Sequence, residues 1–233
     1  MRRIVSAFLS LCILLSFSSG YAAGKITIEK ENFSFIESNR SYGYAYAKVA
    51  NIGNKAIKVN AGILEVFDTE GDNITSTDRL YSYAEYLQPD EYTYVKMYAE
   101  IPKEQAISVD DYLLTLTGKS DTSYVSTRLS VSDSRYAVEN SSAYSTYHYM
   151  YATITNNTED IIWHLNLVMA LLDDDDNILY MDSSYLSSEI GLMPGNTIIA
   201  RLSVSSSFID YFEKNSITPT HVDTIAYINK KAN

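Results

Sequence analysis

The sequence predicts an all-β protein built as two tandem β-sandwiches. Three observations carry this. Short runs rich in Tyr, Val, Ile and Thr are separated by turn residues throughout the chain. No segment sustains a long apolar period near 3.6, so helix should be scarce. The chain also repeats itself, each copy being about 100 residues, a usual size for one domain.

Residues 1–23 stand apart from this pattern. Arg2 and Arg3 precede the apolar stretch IVSAFLSLCILLSF (4–17), and small residues follow up to Ala23. This is the layout of a secretory signal peptide cleaved after Ala23. The apolar run is shorter than the roughly 20 residues a spanning helix needs, so no membrane insertion is expected after removal. Cys12 is the only cysteine and leaves with the signal. The mature chain then has no disulfide and no thiolate, which favours a bacterial secreted or periplasmic protein over a disulfide-stapled one. Losing Arg2 and Arg3 takes the formal net charge from −11 to −13. Such a surface repels phosphate backbones, which argues against nucleic acid as a partner.

Copy one is expected at 24–118 and copy two at 129–233, with a polar linker at 119–128. ITIEKENFSF (26–35) opens copy one and matches LSVSDSRYAV (129–138) in its apolar positions. YGYAYAKVANIGNKAI (42–57) matches YHYMYATITNNTEDII (147–162) without a gap. GILEVFDTEGDNI (62–74) matches LVMALLDDDDNI (167–178) with one residue lost in the turn. LQPDEYTYVKM (87–97) matches LMPGNTIIARL (192–202), and VDDYLLTL (109–116) matches VDTIAYI (222–228). Six or seven strands per copy result, the spacing of a sandwich. IPKEQAIS (101–108) and SSFIDYFEKNS (206–216) interrupt the last two strands. The second suits a short helical turn with Phe208, Tyr211 and Phe212 packed inward.

Side chains alternate between the two faces of a strand. One face of the second strand carries Tyr42, Tyr44, Tyr46 and Lys48, and the other Gly43, Ala45, Ala47 and Val49. In copy two Tyr147, Tyr149, Tyr151 and Thr153 oppose His148, Met150, Ala152 and Ile154. Lys48 and Thr153 mark the tyrosine face as outer, and Val49 and Ile154 mark the other as core. After L-x-P, Thr93, Val95 and Met97 should face in, with Tyr92, Tyr94, Lys96 and Tyr98 facing out. Their matches Thr197, Ile199, Arg201 and Ser203 should face out as well.

The repeated landmarks are an alternating strand ending in Asn51 or Asn156, an apolar strand ending in Asp68 or Asp173, then Leu87-x-Pro89 or Leu192-x-Pro194. This pattern resembles the FxLYD-type immunoglobulin-like domains of bacterial secreted proteins, and it is similar to the adhesion-related CARDB domains. LEVFD (64–68) and MALLD (169–173) stand at the signature pentapeptide, and Asp90 stands where the family usually has Gly. The resemblance spans nearly the whole mature chain. It implies two immunoglobulin-like sandwiches and brings no catalytic residues. It also implies that the two tyrosine-bearing strands are neighbours, which places Tyr42, Tyr44, Tyr46, Tyr92, Tyr94 and Tyr98 on one outer face. Such a face suits sugar stacking or a protein partner. It equally suits cross-strand bracing of a sheet, or cover by the other copy.

Other motifs are weaker. LLDDDDNILYMD (171–182) sets Asp173, Asp175 and Asn177 at calcium-loop spacing, but Ile178 occupies the position that takes Gly. Together with DTEGDN (68–73) it reads more simply as a polar hairpin turn. His148, His164 and His221 are scattered and form no ligand pair. His148 should sit on an inward face, and Trp163 in the core. No nucleophile elbow or phosphate loop is present. The expectation is therefore a secreted, non-catalytic binding or interaction module with no cofactor, catalytic or metal residues. Its ligand would be a protein or polysaccharide. A structural spacer and a carbohydrate-binding accessory domain of the cell envelope are the alternatives.

Overall fold

The computed structural model describes residues 25–37, 40–142 and 145–232. The expected signal segment, with Cys12, lies outside them. The described residues are mostly strand and form four antiparallel sheets. Copy one supplies β1 (Ile26–Glu37), β2 (Ser41–Asn51), β3 (Ile57–Asp68), β4 (Asn73–Thr77), β5 (Leu80–Ser82), β6 (Tyr86–Leu87), β7 (Tyr92–Ile101) and β8 (Val109–Ser120). Copy two supplies β10 (Ser130–Ser142), β11 (Ser145–Thr155), β12 (Ile162–Leu172), β13 (Ile178–Leu192), β14 (Thr197–Ser203) and β15 (His221–Lys231), with β9 (Tyr124–Arg128) before them.

We number the sheets by their place in the stack. In sheet I, β3 lies between β8 on one side and β4 and β6 on the other. Sheet II has the order β1-β2-β7-β5, sheet III β13-β12-β15-β9, and sheet IV β10-β11-β14. One core joins sheets I and II. In it Ala45, Ala47, Val49, Val95 and Met97 meet Leu64, Val66 and Leu114. A second, continuous core covers both faces of sheet III. Sheet III is therefore packed on both sides over the second half of β12 and the start of β13, and β12 reads accordingly there as the unbroken apolar run LNLVMALL.

The two copies pair their strands in one register. Tyr44, Tyr46 and Lys48 lie opposite Tyr98, Lys96 and Tyr94, just as Tyr149, Tyr151 and Thr153 lie opposite Ser203, Arg201 and Ile199. The inner and outer sides follow the alternation of the sequence. Ala45, Ala47, Val49, Thr93, Val95 and Met97 are all fully buried.

Three expectations are corrected. The stretch expected as a linker at 119–128 is largely β-structure: β8 runs to Ser120 and β9 pairs with β15 as the edge of sheet III. Its YVSTR sequence has the β-branched content of a strand, and sheet III offers it an open edge. Copy one has eight strands rather than six or seven, because the 80–87 segment contributes two very short pieces. Trp163 is 47% exposed rather than core, since the β12–β13 register shifts between Ile162 and His164. The segment 206–216 does form a helix, α1 (Ser206–Asn215), with Phe208 and Phe212 buried and Tyr211 half-buried.

Asn51 and Asn156 hold the same corner in both copies, and both are wholly buried. The Asn51 amide donates to the carbonyls of Lys55 (2.9 Å) and Leu87 (3.1 Å), and its Oδ1 accepts from the Gly53 amide (3.0 Å). The Asn156 amide donates to Asp160 and Leu192, both at 2.8 Å, and its Oδ1 accepts from Thr158 N at 2.9 Å. Each backbone carbonyl accepts from the residue after the following proline, Asp90 in one copy and Gly195 in the other. Both of those residues are left-handed, at φ 66° and 76°, a conformation that Gly and, less readily, Asp accept. A buried group that loses its partner costs about 1–3 kcal/mol. We predict that Asn51→Ala and Asn156→Ala each lower unfolding free energy by about 2–4 kcal/mol in urea titration, while exposed Asn54→Ala has little effect.

Candidate functional site

The tyrosine face of sheet II is where sequence points first, and the structure does bring all six tyrosines onto one side of adjacent strands. Tyr44 packs on Tyr98 (5.7 Å between ring centres) and Tyr46 (6.3 Å), and Tyr92 on Tyr94 (6.0 Å). Tyr42 meets Tyr98 edge-on at 6.0 Å. Sheet III covers much of this face, which is therefore not the free contact surface expected. Tyr46 and Tyr94 are each only 1% exposed. Tyr42, Tyr44, Tyr92 and Tyr98 are half-buried.

The covering surface is built by the period of two in β12 and β15. Ala170 lies opposite Asp223, and Met169 opposite Thr224. Cross-strand partners share a face. Thr224 accepts a bond from Ser134 of β10 at 3.1 Å, so the Met169 side of sheet III looks at sheet IV. Asp223 looks at sheet II. Its Oδ2 accepts from the hydroxyls of both Tyr92 (2.8 Å) and Tyr94 (2.7 Å). Val168 and Ala170, on the same side, are fully buried, as are Ile225 and Tyr227.

Further contacts bind the sheets at their margins. Asn32 of β1 donates to the carbonyl of Ile178 at 2.8 Å, and Lys30 to that of Asp175 at 3.0 Å. Arg128 of β9 donates to the Tyr92 carbonyl, and its guanidinium lies 5.1 Å from the Tyr92 ring centre. The Tyr86 amide donates to Ser126 Oγ at 3.3 Å. Phe208 of α1 closes one end of the face, against Tyr180 (4.8 Å) and Tyr44 (5.0 Å).

The phenols respond to this burial. Desolvation pushes the Tyr94 hydroxyl far above the usual phenol range, and the Asp223 carboxylate beside it pushes in the same direction. Tyr92 shifts up for the same two reasons, and Tyr46 through its complete burial. In sheet I, Tyr112 is pushed up to about 12 by desolvation, with Glu31 and Asp111 adding to it.

Sheet IV carries the counterpart face, and its outer side stays open. Tyr147 is 46% exposed and Ile199 69%. Tyr147 stacks on Tyr149 at 6.1 Å. The Arg201 guanidinium lies 4.4 Å from the Tyr149 ring centre, and that of Arg135 lies 4.9 Å from Tyr151. The Tyr151 hydroxyl donates to Glu139.

The acidic turns are internally bonded. Asp68 Oδ1 accepts from the amides of Glu70 and Asp72, and Asp173 Oδ1 from those of Asp175 and Asn177. Partial burial opposes ionisation of Asp173, yet bonds from Asn177 and Asp175 bring its carboxyl below the usual range. Both turns thus use the Asp to cap their own backbone. Among the described residues, no group of three or more His, Cys, Asp or Glu side chains converges as a metal site. His148 bonds the Tyr136 hydroxyl, His164 stacks on Tyr185, and His221 pairs with Asp176 at 3.0 Å.

No protein-family model matches the chain, and no curated protein matches its sequence. Site residues that sequence reasoning missed are Asp223, Asn32 and Arg128. The available signal for Asp223 was a carboxylate at the third position of the terminal strand, next to its apolar stretch.

Double-mutant coupling of Tyr94→Phe with Asp223→Ala should reach about 1.5–3 kcal/mol in urea unfolding, the range for a hydrogen bond to a charged group. The raised phenols are neutral in the fold and ionise more easily once unfolded. Their stabilising contribution is complete below pH 10 and is lost as pH rises, for Tyr112 between about 10 and 12. Unfolding free energy should therefore fall steeply above pH 10, with tyrosinate absorbance from the buried phenols appearing together with loss of β-sheet circular dichroism.

Proposed function

We propose that the protein is a secreted, non-catalytic interaction module of two tandem immunoglobulin-like domains, acting at a bacterial cell envelope, with the outer face of sheet IV as its contact surface. One observation carries the choice of surface. The tyrosine face of copy one is spent on copy two, whereas the same face of copy two is open, with Ile199 69% exposed. Tyrosine with arginine is the composition enriched where protein surfaces meet.

The chemistry of this face favours a protein over a sugar as partner. Sugar stacking needs uncovered ring faces, and Tyr149 and Tyr151 each already carry a guanidinium. An apolar centre ringed by Arg135 and Arg201, with Asp133 and Glu139 beside them, suits a partner surface of apolar side chains within a mixed polar rim. The secretion reading rests on residues 1–23 and the absence of cysteine from residue 24 on.

A structural spacer is the second reading, favoured by the extensive contact between sheets II and III. The two separate in one experiment. The full-length coding sequence is expressed and the product is followed between envelope and culture-supernatant fractions. The interaction reading expects a product whose mass begins at Gly24, held in the envelope fraction. It expects Tyr149→Ser with Arg201→Ser to release the protein to the supernatant without changing its melting temperature. An unchanged distribution would remove sheet IV as the surface, and a wild type free in the supernatant would favour the spacer.

A further inference from the structure

Sheets II and IV are one sheet in two copies, and so are sheets I and III. Within the chain, the outer face of II lies on the outer face of III. Each chain is thus left with one unspent face of each kind: IV at one end of the stack and I at the other. We propose that a second copy of this chain places its sheet I on sheet IV and repeats the internal contact between molecules. This rests on the reading of sheet IV as the contact surface and names its partner.

The equivalent positions follow from strand register. Tyr94 lies opposite Lys48, and Ile199 opposite Thr153, so Ile199 holds the position of Tyr94. Asp223 lies opposite Ala170, and Leu113 opposite Glu65, the matching residue of copy one, so Leu113 holds the position of Asp223; this corrects the sequence match of VDDYLLTL with VDTIAYI, which sets Asp110 there. Inside the chain these two positions touch, Tyr94 donating to Asp223 at 2.7 Å. At the free faces both have become apolar together, and both are exposed, Ile199 at 69% and Leu113 at 51%. A hydroxyl–carboxylate pair is replaced by an apolar pair, and either change alone would leave a mismatch.

The surroundings agree. Ile63, 49% exposed, holds the position of Val168, which is fully buried between sheets II and III. Sheet I carries Glu65 and Asp111 on the same side as Leu113, by the alternation of β3 and β8. Sheet IV offers Arg135, paired with Asp133, and Arg201, near Glu139, while sheet I also carries Lys58 and Lys119, so both faces mix charges around their apolar patches and the equivalence of positions carries the match. Because the two faces differ, the contact is head-to-tail and remains open at both ends.

The test is sedimentation velocity over a concentration series on protein expressed from the full coding sequence. Wild type should form species that grow beyond dimers. Ile199→Asp and Leu113→Asp should each weaken association about 100-fold or more, since each places an unpaired carboxylate in an apolar contact. Both sites are exposed, so melting temperatures should not change. Each variant retains one good face, and the two good faces are complementary. An equimolar mixture of the two should therefore give dimers that do not grow. The proposal is overturned by a wild type that stays monomeric at its highest soluble concentration. It is equally overturned by association that neither variant weakens, or by mixed variants that stay monomeric while wild type associates. A monomeric wild type that keeps envelope retention dependent on Tyr149 and Arg201 overturns this inference alone. A monomer without that retention removes the interaction reading too.

Discussion

Two phenols share one carboxylate oxygen at the seam between sheets II and III. Tyr92 and Tyr94 are drawn under sheet III with their hydroxyls, and a buried hydroxyl without an acceptor would oppose folding. Asp223 supplies that acceptor for both, at 2.8 and 2.7 Å. The half-buried carboxylate in turn exchanges part of its hydration for these two hydroxyls, so the two sides of the contact support each other. Burial of an aromatic side chain removes about 150–250 Å² from water, worth several kcal/mol at about 25 cal/mol per Å². Tyr46 and Tyr94, each 1% exposed, take that gain only because the copies stack. The four layers are thus one cooperative structure, in which sheet III acts as core for both neighbours.

The two copies show what a repeat preserves and what it releases. Strand register, the buried asparagine corner and the left-handed turn after proline are held in common, because they satisfy backbone groups that any version of the fold must satisfy. The outer faces are free to differ, since each answers to whatever covers it. Val168, Ala170 and Leu172 are buried under sheet II, while their counterparts Ile63, Glu65 and Phe67 are exposed or half-buried. On β12 the covered face carries no charge where β3 has Glu65, and the one carboxylate under sheet II, Asp223, is bonded to two hydroxyls.

This division explains how much of the molecule could be read from sequence. Period-two alternation in YGYAYAKVA and YHYMYATIT gives the inner and outer sides of both strands, and the L-x-P strands follow suit. These depend on one sheet pairing with its own partner. What lay beyond reach was the identity of the covering layer, because alternation tells which side is not core but not what lies against it. The signal existed in LNLVMALL, whose unbroken apolar run requires two dry faces. Only one of those faces is supplied by its own copy. Joined to the tyrosine face, that surplus points to stacking. Asp223 resists such reading, since one acidic residue in a strand has many uses until its neighbours are known. Trp163 misled for the opposite reason: hydrophobicity suggested core, and a local register shift turned it out.

Direction is the remaining consequence of this geometry. A contact between unlike faces has no two-fold axis, so it cannot close on a second molecule in the way a symmetric dimer does. Within the chain the problem does not arise, because the tandem contains one such contact and ends. At its ends, sheet I still presents the kind of surface that sheet III buries, and sheet IV the kind that sheet II buries. Each face is the counterpart of one side of the internal contact and not of both, so the internal geometry is repeated only by the other face. The same repeat that stacks the two copies therefore leaves each chain with a polarity, one end presenting Ile63 and Leu113 and the other Ile199 among tyrosines, and two chains repeat the internal contact in only one order.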